Sequence, residues 1–171
     1  NNQTEDAINV VHGHFTFINS EFENTLADAF DSDFSDGEVR DCYFHDIQGD
    51  AVDVSGTQAT LSNLKIENIT DKGLSIGENS QVQAENISMD SVGIGVASKD
   101  LSSVNINDSE IKNARYAGLA AYIKKPVFGP ASITAQNVSI SDSQQLCVVQ
   151  VGSTIQFNGK TMPQQDLDVD K

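Results

Sequence analysis

The sequence predicts an all-β protein, a single-stranded parallel β-helix (a solenoid) of about seven coils, each of roughly 22 residues. Three observations lead there. The segment Asp6-Ala7-Ile8-Asn9-Val10 returns as Asp28-Ala29-Phe30-Asp31-Ser32, as Asp50-Ala51-Val52-Asp53-Val54 and, altered, as Lys72-Gly73-Leu74-Ser75-Ile76, each step being 22 residues. A second ladder, Phe22, Phe44, Ile66, Ile87, Ile111 and Val138, advances by 22, 22, 21, 24 and 27 residues. Within each unit apolar and polar side chains alternate, as where Val52 and Val54 flank Asp53; that is the period of a strand with one buried face.

The runs between these strands are too short for a helix and are rich in Gly, Asn, Asp and Ser. This argues against βαβ and leucine-rich-repeat solenoids and leaves each strand to pair with its equivalent in the next coil. Polar ladders agree: Asn19, Asp41 and Asn63 share one repeat position, and Asn24, Asp46, Asn68 and Asn113 another. Stacked at about 4.8 Å per coil, such side chains can hydrogen-bond along the stack and accept the left-handed backbone of tight turns. The same repeat generates five Asn-x-Ser/Thr triplets, so these carry no glycosylation signal.

Two regions depart from the period. Tyr122-Ile123-Lys124-Lys125-Pro126-Val127-Phe128-Gly129-Pro130 reads as a loop inserted between coils, its prolines and glycine breaking any strand. The repeat fades after Val151, which gives a β-helix over 1–161 and a C-terminal cap or loose tail over 162–171.

A net charge of −15, from 10 basic and 25 acidic residues, repels nucleic acid and anionic lipid. It suits neutral glycans or divalent cations. No stretch approaches the roughly 18 apolar residues of a membrane span, so membrane insertion is not expected. No signal peptide is evident and the chain opens on a repeat, so it is expected to be a mature or excised piece of a longer protein with further domains. An exposed first coil would then invite a partner at its edge. Cys42 and Cys147 fall in distant coils and are expected to remain separate thiols.

The runs Glu5–Val10, Asp28–Gly37, Gly49–Gly56, Asp71–Glu78 and Gly95–Ser102, with Lys124-Lys125, resemble the right-handed parallel β-helix, or pectate-lyase-like, regions of bacterial exported and surface proteins. Such regions are often attached to CotH-like, spore-coat-type kinase domains. The resemblance covers nearly the whole chain and implies a right-handed β-helix, secreted or at the cell surface, with a polysaccharide as partner. It does not settle activity, because this architecture serves lyases, hydrolases and epimerases as well as binding modules. The chain lacks the Gly-His-Gly and Arg-Ile-Lys motifs of polygalacturonases. Its two arginines, Arg40 and Arg115, do not occupy the repeat position of a pectate-lyase base.

Candidate chemistry gathers on one strand face. Asp6, Asp28 and Asp50 share a ladder position followed by Lys72, and Asn9, Asp31 and Asp53 share another followed by Ser75. Carboxylates one coil apart repel by about 3–4 kcal/mol at an effective dielectric near 20. Solvent, Lys72, a raised pKa or a bound cation must relieve this. Asp6, Asp28 and Asp50 would suit Ca²⁺. In an enzyme, Asp31 and Asp53 would form the acid/base pair, Asp33 would tune them, and Lys72 would hold a substrate acid group or stabilise developing charge. Lys99, Lys124 and Lys125 form a second, basic candidate for holding a ligand, with Tyr116 and Tyr122 as a sugar-stacking platform. His12, His14 and His45 offer no metal-ligand spacing. The sequence thus supports a carbohydrate-binding or surface-structural module first, and a polysaccharide-acting enzyme second.

Overall fold

The computed structural model describes residues 6–167, so residues 1–5 of the expected β-helix and 168–171 of the expected C-terminal segment lie outside the described residues. The chain winds through three parallel sheets, one strand of each per coil. The first face gathers Ile8–Val11, Phe30–Asp33, Val52–Ser55, residues 74–77 and 94–99, then Ala117–Tyr122 and Cys147–Val149. The second runs from His14–Ile18 and Asp36–Arg40 to Thr154–Phe157. The third runs from Glu21–Glu23 and Tyr43–Ile47 to residues 138–141. In the middle coils, Gln58–Gly77 and Gln81–Lys99 turn from face to face without a break. The result is a β-helix of about seven coils.

Pattern becomes packing because every second side chain points inward. Phe30, Val52, Leu74, Val96 and Leu119 stack in register and are fully buried. Phe22 and Phe44 stack with ring centroids 4.6 Å apart. Each such side chain contributes about 1.5–3 kcal/mol on burial. Where Phe15 fills the interior its neighbour in register is Gly37, at which a Cβ would fall 2.1 Å from the Phe15 carbonyl oxygen.

The corners are made by left-handed residues. Asn19, Asp41 and Asn63 have φ of 52°, 55° and 54°, and Asn24, Asp46 and Asn68 have φ of 58°, 56° and 56°. Their side chains bond along the stack: Asn63 Nδ2 donates to Asp41 Oδ1 at 2.8 Å, and Asn86 Nδ2 to Asn63 Oδ1 at 2.8 Å. Beside the third corner a buried hydroxyl column does similar service. Ser35, Thr57, Ser80 and Ser102 each accept the backbone N–H of the coil below, from Gly13, Ser35, Thr57 and Ser80. Buried donors that would otherwise be orphaned are thereby satisfied.

The register corrects one ladder. On the third face Ile66 pairs with Met89, Met89 with Ile111, and Ile111 with Ile140. Ile87 and Val138 occupy the adjacent inward rung, opposite Leu64 and Ser109 respectively. The third-face steps after Ile66 are therefore 23, 22 and 29 residues. Residues two apart on a strand point the same way, so alternation could not choose between Ile87 and Met89.

The longest step contains the loop that begins after Tyr122 and ends before Ser132. At the C-terminal end, Thr154–Phe157 pairs antiparallel with Lys160–Thr161. Residues 162–167 return to the last coil, where Gln165 N–H donates to the Val149 carbonyl at 2.7 Å and Val151 N–H to the Gln165 carbonyl at 3.0 Å. Among the described residues no helix is long and apolar enough to cross a membrane. Cys42 and Cys147 are buried, unpaired thiols.

Candidate functional site

On the side of the first face away from the core, Asn9, Asp31, Asp53, Ser75, Ala97, Ala120 and Val148 are successive partners in register, with Ser75, Ala97 and Ala120 buried under neighbouring groups. The row is acidic at one end and apolar at the other. Asn9 Nδ2 donates to Asp31 Oδ2 at 2.6 Å, which fixes the acidic end.

Along one margin runs the column Asp6, Asp28, Asp50 and Lys72. Its carboxylates are bonded to backbone: Asp28 N–H donates to Asp6 Oδ1 at 3.1 Å, Asp50 N–H to Asp28 Oδ1 at 2.6 Å, and Lys72 N–H to Asp50 Oδ1 at 2.8 Å. Lys72 closes the column, with Nζ 3.4 Å from Asp50 Oδ1 and 2.6 Å from Asp71 Oδ2. The repulsion between stacked carboxylates is thus met by amides and one lysine. Among the described residues a single set of acidic oxygens converges, those of Asp28, Asp50 and Asp53, all within 4.8 Å of one another. Asp53 stands where the sequence suggested Asp6. These are hard oxygen donors of the kind Ca²⁺ takes.

The basic candidates separate. Lys99 Nζ turns back over Gly77 to donate to Ser75 Oγ at 2.7 Å, and it lies 3.8 Å from Asp53 Oδ1. A Cβ on Gly77 would stand 3.4 Å from Lys99 Cε, an ordinary van der Waals contact, so the lysine stem passes close over this position. Asp53 Oδ1 is buried and has no hydrogen-bond partner. Lys125 instead pairs with Glu78, and its backbone N–H and that of Lys124 donate to Asp100 Oδ1 at 2.6 and 2.7 Å. The Lys124 and Lys125 side chains are exposed at the loop, apart from the Lys99 ammonium.

Tyr116 and Tyr122 share one cavity. With Ile94, Ala120, Val148 and Leu167 they line a cavity of about 280 Å³ at the apolar end of the row. The acidic row thus leads past Lys99 toward two tyrosines. Arg115 is held elsewhere, donating to the carbonyls of Ile69 and Thr70, both at 2.6 Å. The histidines are dispersed: His12 stacks on Phe34, His14 pairs with Asp36, and His45 with Glu21 and Asp46.

Electrostatics follows this geometry. Burial, then the neighbouring Asp33 and Asp53, pushes Asp31 up to about 6. Burial pushes Asp50 up to about 6 against the opposing pull of Lys72. Burial also raises Asp28, offset in part by the Asp50 N–H. Burial works against the Lys72 charge, but Asp50 and Asp71 outweigh it and hold the ammonium above its ordinary range. The Tyr122 hydroxyl is pushed up to about 12, chiefly by burial.

The contact between Lys99 and Asp53 was not legible in the sequence, where Lys99 grouped with the loop lysines.

A solenoid whose strands pair in parallel from coil to coil, with charged groups aligned along one outer face, defines a parallel β-helix protein. The family model for a right handed beta helix region matches residues 6–162, and the chain belongs to that family. Comparison with curated proteins and with solved structures returned no match.

Proposed function

We propose that this chain is a glycan-binding β-helix module of an exported or surface protein, with a polysaccharide laid along the outer face of the first sheet. One observation carries the reading: the carboxylates Asp31 and Asp53 and the cavity lined by Tyr116 and Tyr122 lie at opposite ends of one face, aligned in register across the buried Ser75, Ala97 and Ala120. Carboxylates accept hydroxyl hydrogen bonds, and tyrosine rings stack on the apolar faces of sugars. Export and surface display are supported by the resemblance to exported β-helix regions. Calorimetric titration with soluble oligosaccharides tests the reading. The expected result is binding that weakens in Asp53→Ala and Tyr122→Ala; no binding across neutral and uronate oligosaccharides would remove it.

A second reading, a polysaccharide lyase, hydrolase or epimerase, is favoured by one specific feature. Asp31 and Asp53 lie on adjacent strands, spaced at about 4.8 Å, and Asp31 is pushed up to about 6. Two carboxyls at that spacing, one of them with a raised pKa, can serve as acid and base. Turnover lost in Asp31→Ala and Asp53→Ala with the fold intact supports it. No turnover by the unaltered protein across a polysaccharide panel excludes it.

Calcium is proposed for the Asp28, Asp50 and Asp53 oxygens on their convergence. A melting temperature that rises with added calcium supports it, and one that stays fixed removes it.

A further inference from the structure

We propose that Phe34, backed by His12, is a sugar-stacking platform at the corner where the acidic row ends, and that the glycan it takes is uncharged. This rests on the glycan-binding reading above and adds a contact residue and a ligand class to it.

Phe34 follows Asp33 directly and has φ of 49°. Left-handed backbone is costly for a bulky aromatic residue and persists where the surroundings impose it. At equivalent corners the chain uses His12 and Gly56. Phe34 is also 54% exposed, so core packing does not explain it. It is nevertheless fixed. Its ring lies 5.3 Å from that of His12 at an interplanar angle of 18°. One edge of the ring rests at Gly56, where a Cβ would fall 2.6 Å from Phe34 Cδ1 and 2.9 Å from Cε1. An ordered, half-exposed ring next to hydroxyl-accepting carboxylates is the chemistry that recognises a pyranose: stacking on its C–H face and hydrogen bonds from its hydroxyls.

The charge of the ligand follows from where the cations are. Lys72 is committed to Asp50 and Asp71, and Lys99 to Ser75 with Asp53 beyond it. Among the described ion pairs none involves Asp31 or Asp33. Beside Phe34, Asp31 and Asp33 a uronate carboxylate would therefore meet carboxylates, the exposed Lys124 lying away in the loop after Tyr122, whereas a neutral sugar meets acceptors.

The test is isothermal titration of the chain with cellohexaose, mannohexaose and chitohexaose as uncharged probes and hexagalacturonate as the charged one. Melting temperatures are measured in parallel for Phe34→Asn and Phe34→Tyr. Asn accepts left-handed backbone, so Phe34→Asn should melt no lower than the unaltered chain yet bind about tenfold more weakly. Phe34→Tyr keeps the ring and should keep the affinity. Binding of the uncharged probes that is unchanged in Phe34→Asn overturns the platform. Hexagalacturonate bound as tightly as the uncharged probes overturns the ligand class. Failure of the unaltered chain to bind any of the four overturns the glycan-binding reading and this inference with it.

Discussion

Lys99 Nζ stands 3.8 Å from Asp53 Oδ1, reaching back across the Gly77 coil to do so. Both groups are largely withdrawn from water, the Lys99 side chain 10% and the Asp53 side chain 25% exposed. Removing one partner of such a pair leaves the other charge uncompensated. Lys99→Met is therefore expected to destabilise the chain by about 2–4 kcal/mol. Adding Asp53→Asn should restore part of that loss. A double-mutant cycle in urea measures the coupling, and strictly additive effects would show that the two groups do not interact.

Acidification should stabilise this protein before it destabilises it. Asp31 and Asp50 titrate near 6 in the fold against 3.8 when free. A group raised by folding binds its proton more tightly in the native state, so its contribution is lost as pH rises through the folded value and is full below the free one. His45, raised chiefly by its hydrogen bond to Asp46, acts in the same direction. Asp46, Glu67 and Asp90 are lowered, chiefly by hydrogen bonds from His45, Tyr43 and Asn113, and act oppositely at the acid extreme. The melting temperature should rise from pH 7 to about pH 5 and fall below about pH 4. Asp50→Asn should flatten the rise; an unchanged slope would detach it from Asp50.

The acidic column predicts a difference between two substitutions at one position. Asp28 Oδ1 accepts the N–H of the buried Asp50. Asp28→Ala leaves that amide without its acceptor and should cost about 2 kcal/mol, whereas Asp28→Asn retains an acceptor and should cost less. Equal losses in chemical denaturation would assign the effect to charge alone.

Gly93 is a steric requirement. A Cβ there would fall 2.1 Å from the Asp71 carbonyl oxygen, which is backbone and cannot turn aside. Gly93→Ala is expected to cost about 3 kcal/mol, read as a lowered urea midpoint. A midpoint within error of the unaltered chain would show that the coils shift apart freely.

Both thiols should resist modification in the native state. Cys42 and Cys147 are buried, and burial pushes Cys147 up to about 11. The thiolate is the reactive form. Ellman's reagent should therefore react with two thiols per chain in guanidinium and only slowly without it. Rapid native reaction would mean that the coils open.

Much of the fold could be read from residue order. The recurring Asp-Ala-apolar-Asp-apolar segment placed Asp31 against Asp53 and Asp50 beside Lys72, because a fixed interval in a solenoid is a spatial neighbour. The Asn and Asp ladders marked the corners for the same reason. Finer placement was hidden. Ile87 and Met89 are both apolar and two residues apart, so only the hydrogen-bonded register distinguishes them. Phe34 drew no notice in the sequence, since an aromatic residue after Asp33 reads as another inward-facing position until its backbone is seen to be left-handed.

By itself, then, the sequence determined the coil: its period, its inward and outward faces, and the column of acids that stacking brings together. These follow from local alternation and repetition, which every coil states again. The tertiary structure decided where long side chains end. Lys99 leaves the loop lysines for Asp53, Lys125 goes to Glu78, and Tyr116 and Tyr122 close on one cavity. A lysine spans more than one coil spacing, so its partner is set by which carboxylate lies buried within its reach. No repeat position records that.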